Sequence, residues 1–186
     1  MTHADVLVLL AVRLRSRAPA PLIGVTDALL GGSPTTFEDR LAAAEALDQV
    51  RVRGEEQHRS LTGAGEAELV AHLALETDAA GRADVVTSYE AFLPMNRAFL
   101  AAVQMPDVPV EALAEMIDDL HRILDALEAA LPRFRSYRAR FTTALDLALM
   151  DAEWITSPTR DSIHTIWFEL HEHLLATLGR DRTTEP

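Results

Sequence analysis

At 186 residues, with 48% hydrophobic and 25% charged side chains, the chain is long enough to bury one or two apolar cores without covalent staples. It contains no cysteine, which removes disulfides and thiolate metal sites, and all 17 basic residues are arginine. The 29 acidic residues set a net charge of −12, with 8 Arg against 12 acids over residues 1–82 and 9 against 17 over 83–186. Neither half therefore has the basic footprint usual for a nucleic-acid-binding domain. No apolar run reaches the length of a membrane span. The run VLVLLAV has an acid before it and arginines after it, the wrong order for a signal peptide, so a cytoplasmic protein without membrane contact is expected.

Residues 4–17, ADVLVLLAVRLRSR, open as a helix with apolar first turns and Arg13, Arg15 and Arg17 at its end, the favourable sign for a helix C-terminus. Pro19 and Pro21 stop it. A second short helix is expected from Leu22 to Leu30, ending at Gly31-Gly32. Ser33-Pro34 offers an N-cap with proline at the first helical position, and Thr35 with Glu38 an alternative capping box. In the third helix Phe37, Leu41, Ala44 and Leu47 mark one buried face. Val50-Arg51-Val52-Arg53 then alternates as a strand, Gly54-Glu55-Glu56 turns, and His58 to Thr62 returns as a second strand. A fourth helix begins near Gly63–Glu66. Three helices, a hairpin and a helix in this order predict a winged helix-turn-helix over residues 1–80.

Gly81 is a plausible joint to a second unit, 81–186, expected to be an antiparallel helical domain for dimerisation and ligand binding. A helix from about Asp84 to Val103 puts Tyr89, Phe92, Leu93, Phe99, Leu100 and Val103 on one face, with Asn96 in the middle of the stripe. Residues 110–131 are the most regular helix, with Leu113, Met116, Ile117, Leu120, Leu124, Leu127 and Leu131 on one side and His121 at the edge. Pro132 breaks it, and a further helix from Phe134 to about Ala152 buries Phe134, Tyr137, Phe141 and Leu145. The last helix is expected from Arg160 to Leu178. Ile163, Ile166, Trp167, Leu170, Leu174 and Leu178 form its apolar side, His164, Phe168, His171 and Leu175 its flank, and Asp161, Thr165, Glu169, Glu172 and Ala176 its opposite side. The fold class that follows is mainly α, with a small β-hairpin wing in the N-terminal part.

The run from VRVRG to SLTGAGEAEL resembles the wing and following helix of MarR-like and PadR-like regulators, where a Leu-Thr-x-x-Gly sequence closes the wing. YEAFLPMNRAFL, LPRFRSYRARF and DSIHTIWFELHEHLLATLG resemble the helical portion of an actinobacterial group of such regulator-like proteins, segments of which also occur beside or fused to phosphoenolpyruvate-utilising enzymes. The resemblance implies a ligand-responsive transcriptional regulator that acts as a homodimer, and makes a small anionic metabolite worth testing as its effector.

The residues themselves qualify that implication. On the third helix the face opposite Phe37 and Leu41 presents Glu38, Asp39 and Glu45 where phosphates and bases would lie. Thr35, Thr36 and Arg40 at its amino end, with Arg51, Arg53, His58 and Arg59 on the wing, are the candidate DNA contacts. The alternative is a degenerate winged helix kept for contact with a partner protein.

For a ligand, Asn96 needs a partner, either another helix, through His121 or His164, or a small molecule. Arg138, beside Tyr137 and Phe141, needs an anion, either internal, such as Asp161 or Glu169, or an effector. With Trp154, Trp167, Phe168 and His171 these residues make up the candidate pocket. His164 and His171 are seven residues apart, about 10 Å along a helix, too far to share one metal ion. Asp118-x-x-His121 and Asp161-x-x-His164 resemble only half of a di-iron arrangement, so no metal or other cofactor is expected. Neither a Gly-rich phosphate loop nor a nucleophile context is present, and an enzyme is not expected.

Overall fold

The computed structural model describes residues 2–15, 34–53, 58–105, 108 and 110–181. The expected helix Leu22–Leu30, Ser33 and the Gly54 turn lie outside the described residues. The chain is mainly helical with one small sheet. Its elements are α1 (His3–Arg15), α2 (Pro34–Ala46), β1 (Val50–Arg53), β2 (His58–Leu61), α3 (Gly63–Ala80), α4 (Arg82–Ala102), α5 (Val110–Ala130), a 3-10 turn (Pro132–Phe134), α6 (Ser136–Ala148), α7 (Glu153–Thr156) and α8 (Ile163–Leu178). No helix among the described residues is long and apolar enough to cross a membrane.

Two apolar clusters organise the packing. The first is built on α1, where Val6 to Val12 and Leu14 are all buried, so that this helix has almost no solvent face. Phe37, Leu41 and Ala44 of α2, Val50 of β1, and Leu69 and Leu73 of α3 close around it. Leu47, expected on the same face as Phe37, is instead 69% exposed, because α2 ends at Ala46 and the chain has already turned towards β1. The second cluster joins α4, α5, α6 and α8, and its contributors from α5 (Leu113, Ile117, Leu120, Leu124, Leu127) follow the predicted stripe. Helix α8 belongs to both clusters, since Ala176 packs with the α1 group while Ile163 to Leu175 and Leu178 pack with the second.

The strands pair antiparallel, with Val50 opposite Leu61 and Arg53 opposite His58. Val50 is buried and Leu61 half-buried against the α1 cluster, while Arg51, Val52 and Arg53 face solvent. Thr62 explains why a helix starts directly after β2. Its Oγ1 accepts from the backbone N–H of Gly65 at 3.1 Å and donates to the carbonyl of Asp48 at 2.5 Å, capping α3 and tying it to the α2–β1 turn. Gly65 is needed because that turn lies against the first turn of α3: a Cβ here would sit 2.1 Å from the carbonyl oxygen of Gln49. The Leu61-Thr62-x-x-Gly65 sequence thus pairs, caps and gives clearance in turn. Gly81 joins α3 to α4 at φ +103°, a left-handed conformation that side chains beyond glycine adopt at a cost.

The helix expected from Phe134 to about Ala152 is shorter, α6 running from Ser136 to Ala148 after a 3-10 turn, and Trp154 lies in the separate short helix α7. The last helix begins three residues later than Arg160. Ser162 is its N-cap, its Oγ accepting from Thr165 N at 3.2 Å, which leaves Arg160 and Asp161 outside the helix. Arg160 instead pairs with Asp151 at 2.7 Å and Glu153 at 2.8 Å and covers the ring of Trp154. The polar side assigned to α8 from its periodicity is also revised: Thr165, Glu169 and Ala176 are buried, Glu169 to 1% exposure. Amphipathic spacing cannot reveal that α1, α3, α4 and α6 all pack on α8, or that Arg140 of α6 reaches Glu169.

Replacing Gly65 by alanine forces α3 away from the α2–β1 turn and is expected to destabilise the protein by about 1–3 kcal/mol, the usual cost of overpacking. Chemical denaturation measures it, and a Gly65→Ala protein as stable as the parent would refute the close approach.

Candidate functional site

Helix α8 carries a line of buried polar groups that must all be satisfied. Glu169 meets Arg140 of α6, whose Nη2 lies 2.6 Å from Oε2. The same guanidinium grips Asp161, with Nε 2.9 Å from Oδ2 and Nη2 2.5 Å from Oδ1. Burial disfavours the Arg140 cation, but the two carboxylates outweigh it and hold the group above the ordinary arginine range. One turn further on, His173 is fully buried between α6 and the 3-10 turn, its ring stacked on Phe134 at 4.0 Å. Arg133 Nε donates to His173 Nε2 at 3.0 Å, so that nitrogen must be unprotonated and Nδ1 carries the hydrogen that reaches Tyr137 Oη at 3.1 Å. Burial, then the charges of Arg133 and Arg140, keep His173 neutral well below the usual histidine range. Arg133 also donates to Thr177 Oγ1 at 2.9 Å and to Glu76 of α3, so one guanidinium links α3, the 3-10 turn and α8.

The opening in this packing lies on the other side of α8. Asn96, Phe99 and Leu100 of α4 and His164, Trp167, Phe168 and His171 of α8 line a pocket of about 130 Å³. Its floor is a stack in which Trp167 lies nearly parallel to Phe99 at 4.2 Å and near Phe92 at 5.4 Å, with Phe141 edge-on at 5.9 Å. The Trp167 indole N–H donates to Asn96 Oδ1 at 2.9 Å. His164 stands over Phe99 and is half-buried, and desolvation lowers its pKa. His171 is buried beside Phe92.

Of the candidate ligand residues, Asn96, His164, Trp167, Phe168 and His171 therefore come together, and the others do not. The partner of Asn96 is Trp167, in place of the His121 or His164 expected. Tyr137 faces His173 on the opposite side of α8. Trp154 and Asp161 border a separate groove beside Arg140. Arg138 donates to the carbonyl of His121 at 3.0 Å and pairs with Asp125, while Arg140 takes the Asp161 and Glu169 contacts expected of Arg138. The reason is helical spacing: the two arginines flank the Tyr137, Phe141 and Ala144 stripe on opposite edges, Arg140 towards α8 and Arg138 towards α5. Burial and the nearby Arg138 lower the pKa of His121, which stands at the α5–α6 surface.

The candidate nucleic-acid contacts divide as well. Arg51, Arg53 and His58 are exposed on the hairpin, but Arg59 Nε is held 2.8 Å from Glu45 of α2, and Arg40 pairs with Asp5 of α1 and reaches Thr2 at 3.1 Å. Thr35 and Thr36 fall in the first turn of α2, whose exposed positions include Glu38, Asp39 and Ala42. Among the described residues no group of three or more histidines and carboxylates is placed to hold a metal ion. Arg133, Arg140, His173, Phe99 and Leu100 were not singled out as site residues, although the i, i+3 relation to Tyr137 marks Arg140 in the sequence.

Compared with protein-family models, with the curated proteins and with the solved structures, the chain matches none.

Two outcomes follow from the buried polar line. Arg140→Met leaves Glu169 charged without its guanidinium and is expected to cost about 3–5 kcal/mol in denaturation, most of it regained in Arg140→Met/Glu169→Met. A single variant near parental stability would contradict the buried pair. His173 has a native pKa below the unfolded value of 6.5, so its contribution is complete above that pH. As pH falls below 6.5 the unfolded chain takes up a proton that the native state refuses, and stability drops by up to about 1.4 kcal/mol per pH unit. In His173→Gln the drop across this range should be shallower, and an unchanged slope would show that other groups carry it.

Proposed function

We propose that the protein is a ligand-responsive transcriptional regulator of the winged-helix kind, a non-enzymatic homodimer whose effector enters between α4 and α8. The observation that carries this reading is the position of α8. Its middle turns form one wall of the pocket, and its last turns pack on α1 and α3, where Thr77 Oγ1 reaches the carbonyl of Thr177 at 3.3 Å and Arg13 lies 3.8 Å from Glu172. A ligand that shifts α8 changes the packing of the element that carries α2 and the hairpin, and this gives occupancy a physical route to the N-terminal surface.

In this reading DNA contact belongs to the hairpin. Arg51 and Arg53 are exposed and make no ion pair among the described residues, whereas Arg40 and Arg59 are spent on carboxylates. Wing arginines read the backbone or the minor groove and carry little base specificity. The acidic exposed face of α2 favours a second reading, in which the same surface docks on a partner protein.

Electrophoretic retardation of a duplex carrying the protein's own promoter separates the two. The regulator is expected to retard it at low salt, and Arg51→Ala/Arg53→Ala to make log affinity against log salt shallower by roughly 2. Absence of retardation at low salt removes the regulator reading. Co-purification of a partner protein that the double substitution leaves unchanged supports the second.

A further inference from the structure

The chemistry of the α4–α8 pocket defines its occupant more narrowly, an inference that rests on taking this pocket as the effector site. An indole N–H can only donate, so Trp167 obliges the Asn96 amide to present Oδ1 to it. The Nδ2 amine of Asn96 is thereby turned to the other side of the amide and makes no hydrogen bond among the described residues, although Asn96 is only 8% exposed and lines the pocket. These two donors keep solvent contact only through the pocket, where an acceptor on a ligand would take the place of water. His164 also makes no hydrogen bond among the described residues, and its desolvated ring offers one donor and one lone pair when neutral.

The described lining contains no Asp, Glu or Arg. An ion entering would lose its water without gaining a counter-charge, which selects against charged ligands. The remaining walls are the rings of Phe99, Trp167, Phe168 and His171 and the side chain of Leu100. The volume of about 130 Å³ is that of one six-membered ring, since an apolar cavity of about 150 Å³ takes up benzene. We infer that the pocket receives the buried end of a neutral ligand, a single planar ring bearing a hydrogen-bond acceptor to which Asn96 Nδ2 donates, with His164 as a second polar contact. This departs from the anionic metabolite suggested by Arg138, which faces Asp125 elsewhere.

The test uses the full chain with Trp154→Phe, which leaves Trp167 as the one indole, and follows its Nε1–H resonance in proton–nitrogen spectra. Pyridine, benzene and benzoate are titrated at mildly alkaline pH, where pyridine is uncharged. Pyridine is expected to shift the resonance saturably, benzene to bind about tenfold more weakly because it covers the amide donors without accepting from them, and benzoate to leave it in place. Asn96→Asp keeps an oxygen for Trp167 but removes the donors, and should reduce pyridine to the level of benzene. Leu100→Tyr, at an exposed position on the rim, should abolish the shift by filling the mouth without adding a second indole. No saturable shift with pyridine, equal binding of benzene or benzoate, or a pyridine shift that survives Leu100→Tyr would overturn the assignment. A protein that binds pyridine but retards no duplex keeps the pocket chemistry and loses the regulator reading, and the converse result loses only the pocket chemistry.

Discussion

The structure depends on keeping one helix buried on nearly all sides. Helix α8 brings Glu169, His173 and Thr177 into a place where water cannot solvate them, and each is matched by an arginine or tyrosine from another element. An unmatched carboxylate there would cost more than most single interactions in the fold supply. The positions of Arg133 and Arg140 therefore follow from the burial of α8. The 3-10 turn after Pro132 sets Arg133 against His173, and the first turns of α6 set Arg140 against Glu169.

The same constraint joins the two halves of the chain. Arg133 holds Glu76 of α3 and Thr177 of α8 with one guanidinium, and Arg82 donates to the carbonyl of Leu178 at 2.9 Å. Charged groups fixed in this way have few alternative partners, so they specify one docking geometry where apolar contacts alone would tolerate several. Helix α1 depends on that docking too, because its apolar residues are covered from several directions, with α8 among the elements that pack on it.

The side of α8 towards α4 is built differently. There the polar groups are few and uncharged or half-buried, and the aromatic stack around Trp167 leaves space beside Asn96 and His164. One helix thus carries an ion-paired and hydrogen-bonded face towards α3 and α6 and an aromatic face towards α4. The hairpin and α2 pack with α1 and α3 in the other apolar cluster. There Arg40 and Arg59 are paired with carboxylates, while Arg51 and Arg53 face solvent.

Much of the element order was legible in the sequence because local signals dominate it. The leucine and isoleucine spacing of α5, the strand over Val50 to Arg53 and the helix break at Gly81 act within a few residues, and each recurs in the structure. The sequence also placed His164, Phe168 and His171 on one flank of the last helix, beside an apolar side that includes Trp167, because a single helix has one period. It could not say which helix lies opposite, so Asn96 was matched to a histidine and Arg138 to carboxylates that belong to Arg140. Nor could it show that Glu169 and Thr165 are buried, since a polar residue on a helix reads as solvent-facing until another element covers it. Tertiary packing alone decides such cases, because the partners that make a buried charge tolerable come from residues distant in the chain.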